Sequence, residues 1–354
     1  SMNFAPGHRW GLFPGLSAGW VISEENFFEP LKDVFSFFKL KGSWGMMGND
    51  NITAYQYLSM YSFNTDSYYA FGKTPVSVQS IYETVTANPL VTWETAKTWN
   101  IGFSSQFLNG KLGLDLDYFQ SNRNDILITR NASIPTYSGL SLPAENLGKV
   151  KNHGFEAIAT YRDSKGDFEW GVTGNVTYAK NEVVYADEAA DTPAWQRETG
   201  HPIDGGTYYK ALGIYQTQEQ IESTPHLSGT KIGDLIYQDT NKDGNITWDD
   251  AVRRDKSATP KWIFGLTLNG SWKGMDVNAF FQGQADAEIL VQPTMNMATD
   301  FYEGRWSESN TAEQNAAAKW PRAFMKASSV DNRNSQSSTW WLRDASFVRL
   351  NPWK

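Results

Sequence analysis

Apolar and polar residues alternate along this chain over stretches of ten or more positions, a pattern that only a restricted set of folds can satisfy. From Lys111 to Tyr118, Leu112, Leu114, Leu116 and Tyr118 share one face, and Gly113, Asp115 and Asp117 share the other. From Phe168 to Ala179, one face carries Phe168, Trp170, Val172, Gly174, Val176 and Tyr178. The opposite face carries Glu169, Gly171, Thr173, Asn175, Thr177 and Ala179. Successive side chains of a strand point to opposite faces, so each stretch reads as a strand with one apolar and one wetted side. About nine to eleven such residues suffice to cross a bilayer as a tilted β-strand. The pattern therefore predicts an antiparallel, up-and-down transmembrane β-barrel wall, with a soluble β-sandwich as its rival.

The same alternation appears at Arg9 to Ile22, Phe35 to Met46, Val91 to Leu108, Val150 to Arg162, Trp262 to Trp272, Met275 to Gln284 and Thr339 to Leu350. These make an all-β chain of about nine strands, within the usual boundary error. A Ser followed by acidic residues at Ser23-Glu24-Glu25 predicts a short connecting helix around Glu25 to Leu31. Asn109-Gly110, Asp163 to Asp167 and Lys273-Gly274 are turn sequences; Asn-Gly is the strongest of them, because a type I′ turn needs positive φ at both positions. Between the short turns lie irregular stretches at roughly 48–90, 122–146, 181–259 and 285–338. Outer-membrane barrels have this asymmetry, with tight periplasmic turns and long extracellular loops. The whole chain, 1–354, thus reads as a single partial barrel domain.

Composition narrows the choice. Aromatics reach 14 %, with 15 Trp, 16 Tyr and 20 Phe, as expected of interfacial girdles. No run of about 18 apolar residues exists, so no transmembrane helix is expected. With no Cys there is no disulfide framework, thiolate metal site or Cys nucleophile. The net charge is −8, and no Lys/Arg cluster suited to a phosphate backbone occurs, so nucleic acid is not an expected partner.

The sharpest local motif is Asp239-Thr240-Asn241-Lys242-Asp243-Gly244-Asn245-Ile246-Thr247-Trp248-Asp249-Asp250. Asp239, Asn241 and Asp243 stand at the odd positions of an EF-hand calcium loop, with Gly244 at the sharp turn and an apolar Ile246 at position eight. A hard cation needs six or more oxygens. Asn245 would supply its carbonyl, Thr247 could hold a water, and Asp250 replaces the usual Glu at the last position. The expected role is structural, pinning a long loop; a metal-free, Asx-turn-rich loop is the plainer alternative. Trp195, Tyr208, Tyr209 and Tyr215 share this region, and Tyr55, Tyr57, Tyr61, Tyr68 and Tyr69 occupy the first loop. Loop-against-loop packing is the expectation for most of them.

No catalysis is expected. His8, His153, His201 and His226 are scattered, without metalloprotease spacing or a nucleophile elbow. Asp115 and Asp117 share one strand face, but nothing sets their pKa values apart, so they more plausibly set pore polarity than cleave glycosides.

Several pieces of the chain resemble, in order, the C-terminal part of SusC/RagA-type TonB-dependent outer-membrane transporters of Bacteroidetes. They include Gly11-Leu12-Phe13-Pro14-Gly15, Leu40-Lys41-Gly42-Ser43-Trp44-Gly45, Asn88-Pro89-Leu90-Val91-Thr92-Trp93-Glu94 and Asn146-Leu147-Gly148-Lys149-Val150. Further along come Gly233-Asp234-Leu235-Ile236-Tyr237-Gln238-Asp239, Phe280-Phe281-Gln282-Gly283 and Trp341-Leu342-Arg343-Asp344-Ala345-Ser346-Phe347. The resemblance implies import of glycans or oligopeptides across the cell outer membrane, driven by TonB and assisted by a SusD-like surface lipoprotein. Such a transporter is similar to a plug followed by a barrel of twenty-two strands. About nine strands would be a fragment: an engineered piece, a truncated product or one part of a split transporter. By itself such a fragment should not transport, because an unclosed barrel leaves its edges unpaired. The rival reading is a secreted, calcium-stabilised carbohydrate-binding β-sandwich.

Overall fold

A computed structural model describes residues 1–71, 76–85, 87–130, 143–291, 298–324 and 333–351, with backbone only at 64–71, 76–80, 82, 84–85 and 298–299. The first half contains β1 (Gly15–Val21), β2 (Phe35–Asn49), β3 (Met60–Phe71), β4 (Val76–Val85), β5 (Glu94–Phe107), β6 (Leu112–Thr129), β7 (Ala144–Lys165) and β8 (Phe168–Tyr185). Then come β9 (Thr207–Tyr208), β10 (Ala211–Ile214), α1 (Gln218–Ser223), β11 (Leu235–Tyr237), β12 (Val252–Arg253), β13 (Trp262–Trp272) and β14 (Met275–Ala285). The chain continues with β15 (Glu288–Leu290), α2 (Ala298–Gly304), α3 (Ala312–Ala316), β16 (Leu342–Asp344) and β17 (Phe347–Asn351). It separates into two compact units. Ser1–Asp191, Trp262–Gly283 and Val348–Lys354 form the first, and Thr192–Lys261 with Gln284–Phe347 form the second.

The first unit is built on a nine-stranded sheet in the order β1-β2-β5-β6-β7-β8-β13-β14-β17. Each wall strand pairs with the next one along the chain, which is the up-and-down arrangement expected. The register keeps the two faces separate. Leu40, Phe103, Leu116, Ala157, Val176 and Phe264 make one row across six strands. The neighbouring row, on the other face, is Lys39, Ser104, Asp115, Ile158, Asn175 and Gly265.

Among the described residues the apolar rows have no second sheet to pack on: Leu40 is 40 % exposed and Leu116 is 39 % exposed. A β-sandwich would bury these rows face to face. One sheet with an open apolar face is what a lipid-facing wall requires.

Two aromatic belts bound that face. Near the tight turns, Tyr161 and Trp170 are in contact, with Phe168 and Trp272 beside them in register. Toward the other end, Phe155, Tyr178 and Trp262 form a mutual cluster, and Trp99 contacts Tyr118. Phe168 to Tyr178 covers about 34 Å along β8 at ~3.4 Å per residue. A strand tilt of about 40° reduces this to about 26 Å along the normal, close to the apolar band of an outer-membrane barrel.

The turns follow the sequence with two changes. In the first, β7 runs on to Lys165, which pairs with Phe168, so the expected Asp163 to Asp167 turn shortens to Gly166-Asp167. Lys273 and Gly274 both have positive φ and join β13 to β14 directly. At Asn109-Gly110 the preceding Leu108 is also left-handed, so the turn takes in Leu108 to Lys111 rather than two residues. The segment around Glu25 to Leu31 forms short 3₁₀ turns, Ile22–Glu24 and Asn26–Leu31, with Pro30 inside the second.

The stretches read as irregular carry more structure than expected: β9 to β12 and α1 lie within 181–259, and β15, α2 and α3 within 285–338. Within 48–90, read as a long loop without sustained alternation, β3 and β4 pair as an antiparallel hairpin. Within 122–146, β6 runs on to Thr129 and β7 begins at Ala144; residues 131–142 lie outside the described ones. The expected last strand, Thr339 to Leu350, is broken. The Asp344 carboxylate accepts the Ser346 amide at 2.8 Å, turning the chain between β16, which pairs with β15, and β17, which joins the wall.

The two faces predict unequal responses to the same charge. Val176→Lys should lower the unfolding free energy in phospholipid vesicles by about 2–4 kcal/mol, and Thr177→Lys, on the opposite face, by less than about 1 kcal/mol. Denaturant titration of both variants measures this, and equal losses would contradict the assignment of faces.

Candidate functional site

The polar face of the wall is cross-linked by side chains. Lys41 on β2 reaches Asp117 on β6 at 2.6 Å, past the intervening β5. The residue between them in register is Gly102. A Cβ there would collide with the Asp117 carboxylate and the Leu116 carbonyl, so glycine at this one position opens the path. Ser104 donates to Asp115, and Thr98 to Ser121 at 2.9 Å. Asp115 and Asp117 are therefore tied to donors on neighbouring strands, in keeping with a polar wall.

Asparagines anchor the ends of this wall. The Asn146 side chain accepts from the Thr92 amide and donates to the Thr92 carbonyl, both at 2.9 Å, as a strand partner would. It also donates to the Asp125 carbonyl at 2.7 Å. Asn88 donates to the Ala144 carbonyl at 2.7 Å, and the Trp93 indole donates to the His8 carbonyl at 3.1 Å. Phe4 and Val91 are fully buried beside this network, with Phe4 and Phe13 both against the Trp93 ring.

The second unit has a core of the soluble kind: Tyr209, Ile214, Leu235, Tyr237, Ile246, Trp306 and Trp341. At its centre lies Asp234, with no exposed surface. Arg322 binds it through two nitrogens, at 2.6 and 3.2 Å, and Asn334 donates to it at 3.1 Å. The Lys231 amide adds a bond at 2.9 Å. Asn334 accepts the Leu235 amide at 2.9 Å, and its carbonyl accepts the Trp341 indole N–H at 2.9 Å. A buried carboxylate is tolerable only when paired and hydrogen-bonded in this way. The bonds join residues 231–235 to 322, 334 and 341, far apart in sequence. Spacing marked Asp234 only as part of a family-like motif; its partners are too remote to be read from sequence.

The predicted calcium ligands divide into two groups. Asp239 accepts the Lys242 amide at 2.6 Å and the Gly244 amide at 2.9 Å. Asn241 accepts the Asp243 amide at 3.0 Å, and Asp243 accepts the Asn245 amide at 2.7 Å. That last bond is the main cause holding the Asp243 carboxyl below the usual range. Asp250 is different: it is fully buried and accepts the amides of Thr240, Asn241 and Thr247 at 2.7, 3.3 and 2.8 Å. It closes the base of the loop itself. Among the described residues, no group of three or more His, Cys, Asp or Glu side chains is gathered to hold a metal. Asp239 and Asp243 still fit a hard cation in donor type, since an ionised carboxylate has about four acceptor positions and each uses two.

Of the loop aromatics, Tyr209 and Tyr215 are core residues, and the Trp195 indole donates to the Asp249 carbonyl at 2.8 Å. Tyr55 and Tyr61 are exposed, and the side chains of Tyr68 and Tyr69 lie outside the described ones.

Residues 3–349 match the family model for the β-barrel of TonB dependent receptor-like proteins. The chain belongs to that family. This TonB-dependent receptor β-barrel is 28 % identical to TonB-dependent receptor P3 of Formosa agariphila, over 99 % of the chain and 35 % of that protein. It is 27 % identical to TonB-dependent receptor SusC of Bacteroides thetaiotaomicron, over 99 % of the chain and 34 % of that protein. Among solved structures, the RagAB peptide transporter superposes with a TM-score of 0.72 at 20 % identity, covering 99 % of the chain and 37 % of its own. The chain thus spans about a third of the length of the relatives it matches. Barrels of this family are outer-membrane proteins, and its members are receptors and transporters rather than enzymes.

The Asp234 network predicts a sharp local sensitivity. Asp234→Ala strands the Arg322 guanidinium, and should destabilise the second unit by about 3–5 kcal/mol. Limited proteolysis would then cut within 192–261 and 284–347 well before the wall. An unchanged digestion pattern would remove Asp234 from its central place.

Proposed function

We propose that this chain supplies wall and loops to a TonB-dependent importer of the outer membrane, carrying oligopeptides or glycans. The observation that carries the reading is the single sheet whose apolar face stays open between two aromatic belts while its other face is cross-linked and polar. A wall of that kind separates lipid from a wetted lumen. The second unit, with its own soluble core, belongs to the extracellular side in this reading. A SusD-like surface lipoprotein is the proposed partner there, and TonB engages the remaining two thirds of such a receptor. Likeness to SusC and to the RagAB peptide transporter supports this class of cargo and partner.

Deletion of the gene should abolish uptake of either fluorescent oligopeptides or fluorescent oligosaccharides of a kilodalton scale, with the protein found in the outer-membrane fraction. Undiminished uptake of both cargo classes, or recovery of the protein in a soluble fraction, would overturn the proposal.

Calcium at the Asp239, Asn241, Asp243 and Asn245 turn is a second, separable part of this reading, without Asp250, whose carboxylate is committed to backbone amides. Isothermal titration of the receptor with Ca²⁺ should show one site with a Kd on the order of 10⁻⁴–10⁻³ M, in the range of extracellular modules. The site should vanish in Asp239→Asn/Asp243→Asn. No heat beyond dilution, with thermal stability unmoved by chelator, would leave the loop metal-free.

A further inference from the structure

Above the loop-side aromatic belt, the outward face of the wall changes character. On β7, Phe155 of the belt is followed toward the loops by His153 and Lys151 on the same face. On β8, Tyr178 of the belt is followed by Lys180 and Glu182. The register extends this row: Lys97 on β5 lies opposite Asn122 on β6, Asn122 opposite Lys151, and Lys151 opposite Glu182. One step nearer the belt, Trp99 lies opposite Gln120, Gln120 opposite His153, and His153 opposite Lys180. Three lysines therefore share a polar patch with one carboxylate, that of Glu182.

Height and pairing both bear on what the patch can hold. Lys180 lies about 7 Å along the strand beyond Tyr178, and Lys151 about 14 Å beyond Phe155. With strand tilt these are about 5 and 10 Å above the belt, the depth of lipid headgroups. Among the described residues none of the three lysines enters an ion pair, whereas Lys41 on β2 and Lys111 at the turn between β5 and β6 each hold an aspartate at 2.6 Å. His153 Nδ1 is shielded from water and has no hydrogen-bond partner there. Gln120 and Asn122 add amide donors. Three ammonium groups spread over neighbouring strands beside apolar surface, with the single Glu182 carboxylate among them, leave an excess of positive charge suited to an anion that itself carries acyl chains.

We propose that Lys97, Lys151 and Lys180 bind the phosphate groups of a phosphorylated glycolipid of the outer leaflet, with its acyl chains lying on the apolar rows below. The inference rests on the membrane reading above, because only embedding brings this row to the headgroup layer. A lysine near an anionic surface strengthens binding by about fivefold, so loss of all three should weaken it on the order of a hundredfold.

The test uses the full-length receptor in detergent micelles, with diphosphoryl lipid A as the probe and lipid retained after washing read by native mass spectrometry. Lys97→Gln/Lys151→Gln/Lys180→Gln should lose retention on that hundredfold scale. Lys39→Gln, which removes one ammonium group from the opposite face, should retain as much as the parent, and Lys151→Gln alone should lose about fivefold. Dephosphorylated lipid should bind all of these proteins weakly. Equal retention by the triple variant, or full displacement from the parent by millimolar inorganic phosphate, would overturn the proposal. Outer-membrane fractionation of the same variants separates the two readings. A receptor that inserts normally yet binds lipid A without these lysines refutes this inference alone, whereas failure of the parent to insert refutes the membrane reading.

Discussion

Everything in the first unit depends on strand register. Alternation within one strand creates two faces, but only pairing in step makes those faces continuous across the sheet. The row from Leu40 to Phe264 stays apolar over six strands because each partner is placed without slippage. A slip of one residue in β6 would exchange Leu116 for Asp115 or Asp117 on the lipid side. The cost of a charge in hydrocarbon then acts as a strong selector of register. Small residues help to hold the strands in step. At Gly154, in the middle of β7, any Cβ would strike the Tyr178 carbonyl oxygen of β8 and the Phe119 ring.

The second unit follows the ordinary logic of soluble domains. Its apolar residues are buried against one another, and the buried Asp234 carboxylate is fully engaged. Long segments such as 192–261 lose much conformational entropy when ordered, and a shared core with Asp234 at its centre offsets that loss. Asp250 does the same on a smaller scale, holding the loop from Thr240 to Thr247 closed through three backbone amides. The chain thus uses the hydrophobic effect in two opposite directions: outward to lipid in the wall, inward to a core in the second unit.

Legibility in the sequence followed the range of the interactions. The wall strands were readable because period-two patterning is local. The β3–β4 hairpin was not, because its register shifts between Asn64 and Tyr68 and the alternation breaks there. The alternation of β6 breaks near Asn122 for a similar reason: Asp125 is left-handed and the pairing with β7 shifts between Arg123 and Ile126. In the calcium-like motif, the Asp239, Asn241 and Asp243 turns are local and formed as their spacing implies, whereas Asp250 turned inward to the backbone. The Lys97, Lys151 and Lys180 patch could not be seen at all before pairing was known, since its members lie on three strands.

Sequence alone determined which residues face together along each strand, where the tight turns fall and which family the chain resembles, because these rest on neighbours a few positions apart. Tertiary structure decided that the strands form one open-faced sheet rather than two packed ones, that Asp234 meets Arg322 and Asn334, and that three distant lysines share one patch. Those outcomes depend on contacts between residues separated by tens of positions, whose free energy appears only once the chain has been brought together.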